Sequence, residues 1–403
     1  MLRKSILFFS FYGHQKRYYN QLCRIIKERD YNYNAYHINV YKSIFNRFLF
    51  YIFPLKKRFD KKNYTKQDID EIISYTYKKN ITASRIFKNN FIKKIYKEVL
   101  RVQAICYLDY FYNYFLKNKI DIVIVWNGLP YPQAALSTIA KKMNIKTVFM
   151  ENGYLPNTLT VDPKGVNYYS SLSSLSKAFY DNISINKNKI EILRRNIIDN
   201  SGDFTDLPEK FILLPLQVYD DTQVLIHSPL VRDMPQLIEE SYKAVDNLNL
   251  RFKENYHLVI KEHPQDIGRI NYDYIYKKYS YKNLKVFRSG NVHGLLKKAN
   301  AVITINSTVG IEALLHYKPV ITLGNAFYNI KDLVYNVDQL DNLSQELYNA
   351  IRCEVNKELI DKFLYFLRYE YLLKSGKKGQ KVSESMVIKR IVDIIEGNEY
   401  IWS

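Results

Sequence analysis

Two groups of residues in this chain have types and spacing suited to chemistry. In the stretch 301–325, AVITINSTVGIEALLHYKPVITLGN, an apolar β-type run stops at Asn306, Ser307 and Thr308. A helix-like segment carrying Gly310 and Glu312 follows, and then a second apolar run. Hydroxyls and backbone N–H groups at the start of a helix attract an anion. Upstream, the apolar run that begins at His257 ends in Lys261-Glu262-His263-Pro264. In open α/β sheets such turns lie at the carboxyl ends of strands, where ligands bind. Either turn alone also reads as an N-cap or a loop histidine. Together they point to one phosphate-bearing ligand, a nucleotide-sugar.

The second group is Glu151-Asn152-Gly153 followed by Asp162-Pro163-Lys164-Gly165-Val166-Asn167, two carboxylates eleven residues apart. Sugar transfer passes through an oxocarbenium-like state that paired carboxylates can stabilise, attack or deprotonate around. A carboxylate nucleophile gives retention, and a base alone gives inversion. The same pair also reads as a turn opener and a helix cap. Gln217 and Gln223, in a polar loop after another apolar run, could bind a base or ribose or simply order the loop. The chain has no GxxxxGK[ST], no GxGxxG and no HExxH. That argues against a P-loop ATPase, a hydride-transferring dinucleotide enzyme and a zincin. No metal or other cofactor is expected.

Elements must hold these residues in place, and alternating runs predict them. Strands are expected at 5–11, 121–126, 146–150, 211–216, 257–261, 284–287, 301–305 and 319–323. Helical patterns lie between them, including 63–118 and 132–143. This alternation predicts α/β architecture with parallel, doubly wound sheets. A length of 403 residues suggests two domains. The polar stretch 196–207 is the expected linker. We expect residues 1–200 to form a Rossmann-like acceptor and catalytic domain, and 201–345 a Rossmann-like nucleotide-sugar domain. Residues 346–403 are expected to be a helical segment packing back across. Two such halves around a cleft describe a GT-B-like architecture.

Composition narrows the class. Hydrophobic residues at 47% and charged residues at 25% suit a globular protein. Three widely spaced cysteines without CxxC exclude a disulfide framework and a cysteine zinc site. No run reaches the ~18 apolar residues of a membrane span. The net charge is +20. Residues 1–120 hold 25 Lys+Arg against 8 Asp+Glu, so +17 of it lies there. Such a field favours an anionic partner. Codon drift toward Lys, Asn, Ile and Tyr is the other source, given 37 tyrosines. Residues 41–62 combine Phe45, Phe48, Phe50, Tyr51 and Phe53 with Lys56, Lys57, Arg58, Lys61 and Lys62. That is the composition of an interfacial segment or of a helix with a solvated basic end.

The blocks ENGYLPNTLTVDPKGVN, LPLQVYDDTQ, KEHP and TINSTVGIEALLHYKPVITLG resemble the capsule polysaccharide biosynthesis and export family. Its members include bacterial β-Kdo transferases that build the lipid-linked Kdo linker. The resemblance implies a GT-B fold, a CMP-Kdo donor and retaining transfer. It implies donor contacts from His263, Pro264, Ser307 and Thr308, with Lys261, Gln217, Gly310 and Glu312 completing the set. Asp162 would be the nucleophile and Glu151 the acid/base. Asn152, Gly153 and Asn167 would meet the acceptor, as would His14, Lys16 and Arg17 of the GHQKRYY motif. Related chain-extending members tend to be acidic at the position of Asn152. The implied partners are an anionic lipid or glycolipid acceptor of phosphatidylglycerol type, a membrane surface and other capsule assembly proteins, with no nucleic acid. The implied location is cytoplasmic, peripheral at the inner face of the inner membrane. Another CMP-sugar transferase or a non-catalytic export factor would fit the same blocks.

Overall fold

The computed structural model describes residues 3–11, 13–29, 31–39, 64–83, 85–198, 204–279, 283–374 and 384–397, without the side chains of His14, Ala83 and Arg85. The basic aromatic segment 41–62 lies outside the described residues, as do 199–203 of the expected linker. Twelve strands follow in chain order: β1 (Lys4–Ser10), β2 (Tyr33–Asn39), β3 (Ile122–Trp126), β4 (Lys146–Asn152), β5 (Thr158–Asp162) and β6 (Phe211–Pro215). Then come β7 (His257–Lys261), β8 (Leu284–Phe287), β9 (Ala301–Thr304), β10 (Val320–Thr322), β11 (Tyr335–Asn336) and β12 (Leu373–Lys374).

Two compact units share these strands. The first comprises residues 1–153, 157–171 and 372–403, and the second 154–156 and 172–371. These boundaries differ from the expected 200 and 345. Residues 172–198 pack on the second unit, where Tyr180 meets the rings of Phe363 and Phe366. Arg194 there bonds Asp361 at 2.7 Å. The final helix, Glu384–Glu396, returns to the first unit instead.

The first sheet has the order β2-β1-β3-β4-β5-β12. Alternation along β1 builds a core on each face. Ile6 and Phe8 join the helix Gly13–Glu28 and the final helix, while Leu7 and Phe9 join the helices Lys66–Ala83, Asn90–Asn118 and Tyr131–Lys142. Strands β1 to β4 are parallel, as expected. Strand β5 is antiparallel to β4, and β12 to β5, so this sheet is mixed. The reason lies in the connection. Residues 153–157 are too few for a crossover, which needs a dozen or more, and suffice only for a hairpin.

The second sheet is parallel throughout, in the order β8-β7-β6-β9-β10-β11. Every residue of β6 and β9 is buried, as a strand covered on both faces requires. One covering helix, Met234–Phe252, begins where the Asp233 carboxylate accepts from Gln236 N and ends at Lys253 in the left-handed region. Its buried Leu237, Ile238, Ser241, Tyr242, Val245 and Leu248 form the stripe facing the sheet. Strand order reverses between β6 and β9, which is where a doubly wound sheet opens a ligand crevice.

Candidate functional site

In the second unit, the carboxyl ends of β7, β6 and β9 stand side by side. After β6 comes Gln217 and after β9 comes Asn306, both buried. Gln217 Nε2 donates to Asn306 Oδ1 at 3.1 Å, and Asn306 N donates to Gln217 Oε1 at 3.3 Å. Asn306 Nδ2 also reaches the carbonyls of Gln223 (3.1 Å), His227 (3.2 Å) and Asn325 (3.4 Å). One amide therefore fixes the loops after β6, β9 and β10. Asn306 fills the first position of the turn, where the sequence pattern gave it no role of its own.

Ser307 follows as the working cap of the helix Val309–Leu315. Its Oγ accepts from Val309 N at 3.2 Å, and its carbonyl accepts from Tyr328 Oη at 2.6 Å. Thr308 makes no side-chain cap bond and is exposed. Gly310 is required here, since a Cβ would sit 2.6 Å from Tyr328 Oη. At the far end of this helix Arg194 donates to the carbonyls of Leu314 and Leu315, with its guanidinium 3.6 Å above the Tyr317 ring. A cation on the last carbonyls favours the helix at its negative end.

After β7, His263 is half-buried, and its Nδ1 accepts from Gln265 N at 3.2 Å. That bond leaves the ring proton on Nε2. Burial, first, pulls its pKa below the ordinary value, against the opposing pull of Asp266 and Asp221. A neutral donor results. Pro264 is exposed beside it. Lys261 is placed differently from its expected part in the donor set. It is buried, its Nζ donates to the carbonyls of Glu262 (2.8 Å) and Arg288 (3.4 Å), and burial lowers its pKa. It ties the β7 and β8 edges together. Sequence also gave no sign of buried Asp266, which accepts from Tyr219 N at 2.9 Å and so joins the β6 loop to the turn after His263.

Glu312, half-buried on the helix Val309–Leu315, has its pKa pushed up to about 7 by burial. Its Oε2 lies 3.5 Å from His293 Nε2, and His293 Nδ1 is 3.1 Å from His316 Nε2. The two histidines are not expected from sequence, because only the fold brings positions 293, 312 and 316 together.

In the first unit, Glu151 is half-buried at the carboxyl end of β4. Asn127 Nδ2 donates to its Oε2 at 2.7 Å, and Asn152 N to its Oε1 at 2.8 Å. Asn152 is exposed, and Gly153 makes the tight turn, where a Cβ would fall 2.0 Å from Thr158 Oγ1. Asp162 ends β5 and is fully buried. Its Oδ1 accepts from Lys164 N (2.7 Å), Gly165 N (3.1 Å) and Ser171 Oγ (3.2 Å), and its Oδ2 from Ser171 N (2.9 Å). The register pairs Phe149 with Asp162 and Glu151 with Thr160. Both carboxylates therefore stand on one face as diagonal neighbours, about 7–8 Å apart at Cα. Asn167 takes a left-handed conformation (φ 54°) in the turn that wraps Asp162. Lys16 and Arg17 are exposed on the helix Gly13–Glu28, while the His14 side chain lies outside the described ones. Among the described residues no group of three or more His, Cys, Asp or Glu is placed to hold a metal ion.

Two Rossmann-like units in one chain, the second with its polar turns at the switch point, define an α/β, GT-B-like protein. The model of the family described as capsule polysaccharide biosynthesis protein matches residues 176–347. Protein FixF of Sinorhizobium fredii is 37% identical over 305 residues, covering 74% of this chain and 72% of that one. The chain belongs to the capsule polysaccharide biosynthesis family. Capsule polysaccharide export protein KpsS of Escherichia coli is 41% identical over 137 residues, 32% of this chain and 34% of that one. Among solved structures, Thermosulfurimonas dismutans KpsC, a beta Kdo 2,7 transferase, aligns over 97% of this chain and 99% of its own at 15% identity and TM-score 0.48.

Proposed function

We propose that the chain is a glycosyltransferase of capsule polysaccharide assembly that moves Kdo from CMP-Kdo, with retention, to a lipid or Kdo-glycolipid acceptor. One observation carries the reading. A chain of the capsule biosynthesis family places His263, the Gln217–Asn306 pair and Ser307 at neighbouring strand ends of a parallel sheet, at its switch point. His263 Nε2–H and the Ser307 and Thr308 hydroxyls would hold the donor phosphate, and Glu312 and Gln217 would complete the donor set. In the first unit, Asp162 attacks the anomeric carbon as the bond to CMP breaks, and CMP leaves with the electron pair. The acceptor oxygen then displaces Asp162 while Glu151 takes the hydroxyl proton. A phosphate leaving group needs little protonation, so Glu151 acts chiefly as base.

The enclosure of Asp162 supports a second assignment within the same function. A carboxylate accepting four donors is suited to holding the 162–171 turn, which leaves Glu151 as the single working base. Direct displacement would then invert the sugar. Incubation with CMP-Kdo and a fluorescent phosphatidylglycerol analogue tests the function, and absence of a Kdo-lipid product counts against it. Turnover of another CMP-sugar alone assigns a different donor, and glycan binding without turnover an export factor. Intact-mass analysis of Glu151→Gln with CMP-Kdo tests the mechanism. A Kdo adduct that maps to Asp162 supports retention through that residue, an adduct on another residue refutes the role given to Asp162, and no adduct, with inverted product from the wild type, supports the second assignment.

A further inference from the structure

An exposed surface both apolar and basic lies on the helical hairpin of the first unit, away from the carboxylate edge in sequence. From Lys78 to Lys97 the chain reads KKNITASRIFKNNFIKKIYK, with seven cations and no carboxylate. The described residues of this run form the end of the helix Lys66–Ala83, the 3-10 turn Arg85–Lys88 and the first turns of the helix Asn90–Asn118. Phe91, Ile95 and Val99 lie at i, i+4 and i+8 and are 70%, 50% and 38% exposed, and Ile86 on the turn is 61% exposed. Farther along the same helix Ala104, Leu108, Phe111 and Phe115 are fully or almost fully buried, and Leu116 stands alone as an exposed apolar residue.

Two further observations mark the tip as more than a surface accident. Its first helical turn holds no acidic residue, and Lys93 and Lys94 follow, so cations crowd the positive end of the helix dipole. Asn89 caps the helix by accepting from Phe91 N, and Lys93 Nζ reaches the neutral Asn90 Oδ1 at 3.5 Å, so the charge itself still breaks the local rule, as functional surfaces do. The tip is also held rigid from behind: the Tyr96 ring lies 4.8 Å from Phe87 and 6.2 Å from Tyr77, and its Oη is bonded by Asn80. We infer that this tip docks on an anionic lipid surface, Phe91 and Ile95 entering the interface while Lys88, Lys93 and Lys94 meet headgroup phosphates. Exposed apolar side chains ringed by lysines are the composition such a surface selects. Charge argues against the chain's own 40–63 segment as the cover, since that segment is itself basic, with seven Lys+Arg and one Asp. The same argument disfavours a second copy.

Co-sedimentation with vesicles of phosphatidylglycerol and phosphatidylcholine tests the inference without requiring turnover, so its outcome is separate from that of the transferase assay. Binding is expected to rise with phosphatidylglycerol content and to fall with salt. Phe91→Ser with Ile95→Ser, and separately Lys88→Gln with Lys93→Gln and Lys94→Gln, should each weaken binding at least tenfold. These side chains are at the surface, and unchanged thermal unfolding checks that the variants fold. Phe91→Trp should show added fluorescence that brominated lipid quenches. Wild-type binding by either variant set, no quenching at position 91, or tighter binding to RNA than to vesicles overturns the proposal.

Discussion

Gln217 and Asn306 hydrogen-bond one another twice at the switch point of the second sheet, side chain to side chain at 3.1 Å and backbone to side chain at 3.3 Å. Both are buried, so each bond replaces water that neither residue can otherwise reach. Asn306→Ala removes one partner and strands the Gln217 amide together with the carbonyls of Gln223 and His227. The expected loss is about 1–3 kcal/mol for each group left unsatisfied, less where water enters. Denaturant unfolding of both single variants and the double variant should give a coupling of about 0.5–3 kcal/mol. Additive losses would mean that the pair does not act as a unit.

His263→Ala with Ser307→Ala should weaken CMP binding, measured by calorimetry. A hydrogen bond to a charged phosphate contributes about 1.5–3 kcal/mol. His263 acts here as a neutral Nε2–H donor, because burial lowers its pKa. CMP affinity should consequently be preserved in His263→Gln better than in His263→Ala. Equal affinity in the double variant and the wild type removes these residues from the donor site.

Gly310→Ala tests the packing behind the cradle. The new Cβ would fall 2.6 Å from Tyr328 Oη, the group that donates to the Ser307 carbonyl. Tyr328 is fully buried and has no room to retreat. The variant should lose stability in the range of overpacked cores, about 1–3 kcal/mol. Tyr328→Phe removes the clashing oxygen, so Gly310→Ala with Tyr328→Phe should recover part of the loss in thermal unfolding. No recovery would place the clash elsewhere.

Much of the second unit could be read from sequence because its strands are short apolar runs closed by polar turns. Gln217, His263 and Ser307 are all found at strand ends as the pattern implies. The first unit was less legible. Strand β5 looked like loop because its TLTVD is short and follows a turn of Gly, Pro and Asn. Its antiparallel sense depends on the length of the 153–157 connection. The enclosure of Asp162 arises from N–H groups as far along as Ser171, which no spacing of carboxylates reveals. Lys261 likewise belongs to the donor set implied by the resemblance, whereas the depth of β7 turns its ammonium onto carbonyls. The division at 171/172 was hidden because a polar run at 196–207 imitates a linker although the helix before it, Lys187–Ile198, already packs on the second unit.

The line of Glu312, His293 and His316 should set opposing slopes of stability against pH. Burial raises the Glu312 carboxyl from 4.5 to about 7, so the folded state keeps a proton there that the unfolded chain has lost. Its contribution is full below pH 4.5 and is lost as pH rises toward 7. His316 is pulled from 6.5 to about 4, first by burial and then by His293, Lys318, Arg194 and Lys297. Its contribution is present above pH 6.5 and is lost as pH falls toward 4. His293 is lowered by burial and works in the same direction as His316. In the wild type the two opposed effects overlap between pH 4.5 and 6.5 and largely offset. Glu312→Gln leaves the histidines, so its stability relative to wild type should rise with pH across that window. His316→Gln leaves the carboxyl, and its relative stability should fall. Urea unfolding of the three proteins at the two ends of the window reads both slopes. If the two variants change in the same direction, the three groups do not titrate as the geometry implies.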